Sequence, residues 1–163
     1  MKKGCICEGI IEKVEFPNRG KATVEGETVI VKNGIPGQKV RFVINKKRGK
    51  RLEGRLLEVL EKSPLERREP VFSVFPDCGG CMYQTMPYEE QLKMKQAQVK
   101  EILDRAVLGE YEYENIYGSP QEFHYRNKME FSFGDAEKDG PLTLGLHKKG
   151  STYDVLTAGD CQL

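Results

Sequence analysis

Through the first sixty residues, apolar and polar positions alternate in runs too short for a packed helix. GIIEKVEF alternates apolar and charged residues, KATVEGETVIVKN places two β-rich runs around Glu25-Gly26-Glu27, KVRFVIN alternates again, and RLEGRLLEVL closes the series. The pattern predicts five strands. Between them stand Pro17-Asn18-Arg19-Gly20, Asn33-Gly34-Ile35-Pro36-Gly37 and the turn from Lys46 to Lys50 around Gly49, all rich in residues that tolerate turn geometry. Five short strands in so little chain predict an all-β, OB-like barrel, because closure removes the exposed edges of a small sheet.

Ser63 to Pro70, SPLERREP, holds two prolines and four charges and cannot continue a central strand or a long helix. It divides the chain into a barrel unit, 1–62, and a second unit, 63–163. In the second, Pro87 to Ala106 reads as a helix with Tyr88, Leu92, Val99, Ile102, Leu103 and Ala106 on one stripe, Glu89 and Glu90 in the first turn, and Thr85 as N-cap. YRNKMEFSFG then carries Met129, Phe131 and Phe133 on one strand face, and LTLGLHKK and TYDVLT predict two further strands. A helix followed by a small meander makes a small α+β unit.

The net charge of +1 gives no reason to expect a polyanionic partner, but its distribution does. From Lys39 to Arg55 eight bases face one acid, Glu53, and NKKRGKR concentrates Lys46, Lys47, Arg48, Lys50 and Arg51 in one turn. Such a turn on a barrel rim would attract phosphates, so a nucleic acid is the expected partner. YRNK adds Tyr125, Arg126, Asn127 and Lys128, an aromatic face beside polar and cationic groups of the kind that hold single-stranded RNA. No window approaches a membrane span or a signal-peptide core. A cytoplasmic protein without a membrane partner is expected.

The chain has five cysteines, an odd number, and FPDCGGCMYQ places Cys78 and Cys81 either side of two glycines. That spacing suits a metal or a redox pair, and inert thiols are the remaining reading. Cys161, in AGDCQL, could return to the pair once the second unit folds, making Cys78, Cys81 and Cys161 the candidate metal ligands. Cys5 and Cys7, two apart on a strand, face the same way and read best as small apolar side chains at the barrel mouth. His124 and His147 carry no partner signature.

KGCICEGIIEKVEFPNRGKATVEGETVIVKNGIPGQKVRFVINKK and GRLLEVLEKSP together resemble a TRAM domain, a small RNA-binding β-barrel. CGGCMYQTMPYEEQLKMKQAQV, YRNKMEFSFG and AGDCQL resemble the region that follows it in the RNA uracil-C5 methyltransferases, which include 23S ribosomal RNA enzymes. The resemblance implies rRNA processing: methyl transfer from S-adenosyl-L-methionine to C5 of a uridine by a C-terminal domain. It also implies, in some members, a [4Fe–4S] cluster on C-x5-C-x2-C plus a distant cysteine. Cys78, Cys81 and Cys161 match three of those positions, and Phe72 stands at the fourth. A phenyl ring cannot ligate iron, which leaves an open iron corner, a substitute such as Cys5 or Cys7, or no cluster. No glycine-rich cofactor turn and no spare cysteine occur here, so no catalytic residue is assigned and no methyl transfer is expected from this chain alone. The chain then reads as the RNA-engaging portion of such an enzyme, with a C-terminal methyltransferase domain as its partner. The alternatives are a stand-alone RNA-binding adaptor whose cysteines hold zinc or stay free, and a small thiol redox protein.

Overall fold

A computed structural model of the chain describes residues 1–49, 51–159 and 161–162. The five predicted strands are present as β1 (Ile6–Glu15), β2 (Arg19–Val24), β3 (Glu27–Lys32), β4 (Lys39–Arg48) and β5 (Arg51–Glu61). They close into a barrel in the order β1-β2-β3-β5-β4, with β4 returning to β1. All neighbours run antiparallel except β3 and β5, which pair in parallel through Val29–Leu52, Ile30–Glu53 and Val31–Gly54. Between β2 and β3 the chain reverses through Glu25 and Gly26, with φ of 50° and 75°. Two left-handed residues in a two-residue loop match the right-handed twist of the strands they join.

Alternation along the strands sorts the side chains. Val40, Phe42 and Ile44 of β4 point inward to meet Ile11, Val14, Ala22, Val29, Val31 and Leu52 in a buried cluster. Outward-facing Arg41 lies between Glu8 at 2.8 Å and Glu58 at 2.6 Å. A side chain at Gly54 would place its Cβ 2.7 Å from the Phe42 ring and 3.3 Å from both Val29 and Val31. Glycine is therefore required where β5 passes over the core.

The helix α1 (Tyr88–Ala106) is also present, but the expectation about its cap is corrected. Thr85 is not its cap: Pro87 occupies the cap position without a side-chain hydrogen bond. Nor is the apolar stripe buried, since no helix residue is and Val99 and Ile102 are exposed. Polar contacts attach the helix instead. Gln98 donates to the Val14 carbonyl at 2.8 Å, Lys13 pairs with Glu101 at 2.8 Å, and Met94 packs against the barrel cluster.

These contacts group the helix with the barrel. Two compact units result, one of residues 1–67 and 86–117 and the other of 68–85 and 118–163, whereas the sequence reading divided the chain once, at 62/63. Residues 63–67 stay with the barrel because Ser63 donates its hydroxyl to the Pro36 carbonyl while Glu66 accepts from the Ser63 amide and from Gln38.

The second unit contains β6 (Ser132–Gly134), β7 (Thr143–His147) and β8 (Val155–Thr157), an antiparallel sheet in that order. Only three residues of YRNKMEFSFG are strand, so Met129 and Phe131 precede it and the expected apolar face does not form; Phe131 and Phe133 are exposed.

Glu15 gathers Lys21 at 2.6 Å, Lys13 at 3.2 Å and Arg105 at 3.4 Å, joining two strands to the helix. The Lys21 ammonium, with Lys13 behind it, holds its carboxyl down at about 2, against an ordinary 4.5. Because the folded value lies below the unfolded one, the stabilisation is complete above pH 4.5 and is lost as pH falls toward 2. Glu15→Gln is expected to lower stability at pH 7 by about 1 kcal/mol and to flatten the acid limb of urea-unfolding midpoints. An acid limb identical to the wild type would remove Glu15 from this account.

Candidate nucleic-acid interface and cysteine centre

The predicted basic turn is mostly strand. Lys46, Lys47 and Arg48 end β4 and Arg51 begins β5, with Arg48 opposite Arg51 and Gly49 at φ 59° in the turn. Lys50 lies outside the described residues. Pairing with β5 extends to the tip, which displays all four described cations on the surface. Lys47 donates to the Met1 carbonyl at 2.9 Å, Arg51 pairs with Glu53 at 3.0 Å, and Lys46 stands 3.9 Å from the same carboxylate. One acid thus serves two of the bases.

Beside this hairpin, on the outer wall of the barrel, is a recess of about 110 Å³ lined by Arg19, Ile30, Lys32, Asn45, Lys46, Arg51, Glu53 and Gly54. Arg19, Lys32 and Asn45 are absent from the sequence-level candidates. The turn at Glu25-Gly26 held the signal: a two-residue hairpin loop there sets Val24 against Glu27 and, counting outward, Arg19 against Lys32.

In the second unit Arg126, Asn127 and Lys128 are exposed and precede β6. The Arg126 guanidinium lies 6.0 Å from the centre of the Tyr125 ring, and Lys128 pairs with Glu130 at 3.0 Å.

The cysteines of this unit do come together. Phe72, Cys78 and Cys81 form one buried cluster, and Cys161, Val74, Phe75, Leu146 and Leu156 pack against it. Between the two thiols Gly79 serves close approach. Gly79 donates its amide to the His147 carbonyl at 3.0 Å, and a Cβ there would sit 2.8 Å from that oxygen. Burial pushes the Cys81 thiol above its ordinary value, and nearby Cys78 and Cys161 add to the shift. Burial likewise lowers the ammonium of Lys149, which stands 5.4 Å above the Phe75 ring.

This arrangement does not suit a four-thiolate cluster. Phe72, at the sequence position where the resemblance implies a fourth cysteine, is 3% exposed and packs with Cys78 and Cys81, and among the described residues no group of three or more His, Cys, Asp or Glu side chains is disposed to hold a metal. Thiol redox pairs commonly sit at a helix start, whereas here α1 begins only at Tyr88, after the CGGC turn. In the barrel unit, Cys7 lies 3.8 Å from Cys5 and 3.4 Å from the Met1 sulfur, and packs against the core.

Relatives named as RNA methyltransferases match the chain along its whole length. One from Clostridium tetani is 44% identical over 165 residues, and one from Caldanaerobacter subterraneus subsp. tengcongensis is 40% identical over 163. One from Bacillus cereus is 30% identical over 162 residues, 99% of this chain. Each is named as an uncharacterized RNA methyltransferase. The chain spans 36% of the length of the first two and 34% of the third. No family model matches it. Among the described residues no helix is long and apolar enough to cross a membrane.

Native alkylation distinguishes the thiols. Iodoacetamide at pH 8 should label exposed Cys5 first and Cys78 and Cys81, 0% and 4% exposed, last, by roughly a hundredfold in rate. Peptide mass mapping reads the order, and comparable labelling of all five cysteines would contradict the packed thiol centre.

Proposed function

We propose that this chain is the RNA-engaging portion of an S-adenosyl-L-methionine-dependent RNA (uracil-C5) methyltransferase, acting in the cytoplasm on ribosomal RNA. What carries the reading is the pairing of two facts: RNA methyltransferases match it from end to end, and its barrel, TRAM-like in sequence, presents Lys46, Lys47, Arg48 and Arg51 from one hairpin with a single acid among them. In this reading the hairpin grips the backbone, with Lys50 beside it, and Arg126, Asn127 and Lys128 position the strand bearing the target uridine. Methyl transfer belongs to the remaining length of such enzymes. The chain supplies binding and orientation, which is how remote contacts contribute to a reaction they do not touch.

An iron–sulfur cluster is not part of this proposal, because Phe72 occupies the fourth corner. Purified anaerobically, the chain should carry little iron or sulfide, whereas Phe72→Cys should acquire both, with broad visible absorption. Absorption in the wild type at full iron loading would restore the cluster.

RNA binding tests the main reading. Replacing Lys46, Lys47, Arg48 and Arg51 by Ser should reduce the slope of log affinity against log salt for single-stranded RNA by about 0.7 for each phosphate no longer neutralised, roughly 2 to 3 in all. A slope unchanged from the wild type would remove the hairpin from the interface.

A further inference from the structure

The recess on the barrel wall is built from four strands, and its charges are not balanced. Arg19 opens β2 and Lys32 ends β3, and the two are direct cross-strand partners. Like charges in that position repel. Neither makes an ion pair among the described residues, and the other hairpin brings Lys46 and Arg51 to the same recess. Glu53 is the one carboxylate in the lining, already engaged by Arg51 at 3.0 Å.

Strand geometry points a neutral group into the same place. Ile44 pairs with Gly54 and Lys46 with Glu53, so Asn45 is an extra residue at a bulge in β4. A bulge turns a side chain out of the regular alternation, and bulges recur beside binding sites for that reason. Asn45 lines the recess with the cations, Ile30 and Gly54, and its amide is a hydrogen-bond donor there. At about 110 Å³ the recess is well below the several hundred Å³ of pockets that enclose a cofactor or a whole nucleotide. Its size and donors suit one tetrahedral anion.

We infer that this recess is a discrete phosphate site, seating one phosphodiester of single-stranded RNA between Arg19 and Lys32 while Asn45 donates to it and the hairpin tip holds the neighbouring phosphates. The inference rests on the RNA-binding reading above and adds a second strand pair to the interface. It also gives the Arg19–Lys32 repulsion a purpose, since an anion between them removes it.

Two measurements test the assignment on the full chain. In the first, an oligouridylate is titrated against wild type, Arg19→Ser/Lys32→Ser, the conservative Arg19→Lys/Lys32→Arg and the hairpin variant. The serine pair should bind about tenfold more weakly with a salt slope smaller by about 0.7, and the conservative pair should bind like wild type. In the second, inorganic phosphate is compared with chloride at equal ionic strength. It should raise the Tm of the wild type and not that of the serine pair. Should that double variant fold poorly, Lys32→Gln alone should show the same direction in both assays. Loss of binding in the hairpin variant with wild-type binding in the serine pair overturns the phosphate site and leaves the RNA reading standing. Wild-type binding in both overturns the reading and the site together. Stabilisation by inorganic phosphate without any RNA effect of the serine pair overturns the RNA backbone as the ligand.

Discussion

The barrel depends on one short contact, the parallel pairing of β3 with β5 through three residues on each side. A five-stranded sheet left open has two edges with unpaired backbone groups, and this contact removes both. It is possible only because Gly54 has no side chain: a Cβ there would collide with Phe42, the largest fully buried side chain, and crowd Val29 and Val31. The same residue that fills the core thus forces glycine at the closing strand. Closure then has an external consequence. Bringing β3 against β5 places the outward residues Ile30, Lys32 and Glu53 on one wall, next to the bulge at Asn45, and so creates the recess.

The cysteine-bearing unit is organised by packing. Cys78 and Cys81 sit where the backbone of the CGGC turn meets β7, fixed by the Gly79 amide on the His147 carbonyl and the Lys149 amide on the Asp77 carbonyl. Phe72 completes the cluster as an apolar body of several times the volume of a thiol. Thiols gathered this way behave as small hydrophobes, and burial is the main cause of the raised proton affinity of Cys81. A unit this small has little apolar surface to bury, so an aromatic ring packed against the thiols adds cohesion.

Strands were readable because alternation is a direct record of which side chain faces the core, and all five barrel strands lie where the pattern puts them. The helix shows where such reading stops. Its stripe at Val99 and Ile102 satisfied the helical period but did not reveal what, if anything, would cover it, and the contacts that hold it to the barrel are long-range ones from Gln98 and Glu101. Cys161 joining Cys78 and Cys81 was legible as a possibility from its polar turn after the last strand, and the resemblance pointed the same way, although no local pattern records a return across eighty residues. The recess was legible in principle and missed in practice. The cations of the hairpin are contiguous in sequence and conspicuous, while Arg19 and Lys32 meet only after the register of a neighbouring hairpin is counted out.

Where cations are left without partners says more about binding than their number does. Lys13, Lys21, Lys39 and Arg41 also line the barrel surface, yet each is engaged by a carboxylate within 3 Å. Those pairs fix the strands and the helix and present little net field. On the wall holding Arg19, Lys32, Lys46 and Arg51, one carboxylate is shared, and the repulsion between Arg19 and Lys32 costs the free protein about 0.2–1 kcal/mol. Four cations with one carboxylate among them concentrate positive potential on this wall, and the +1 net charge hides that asymmetry. Arg19 and Lys32 are the members of this group without an ion pair among the described residues, so the pattern of pairing, more than the basic run itself, sets where this wall is least neutralised.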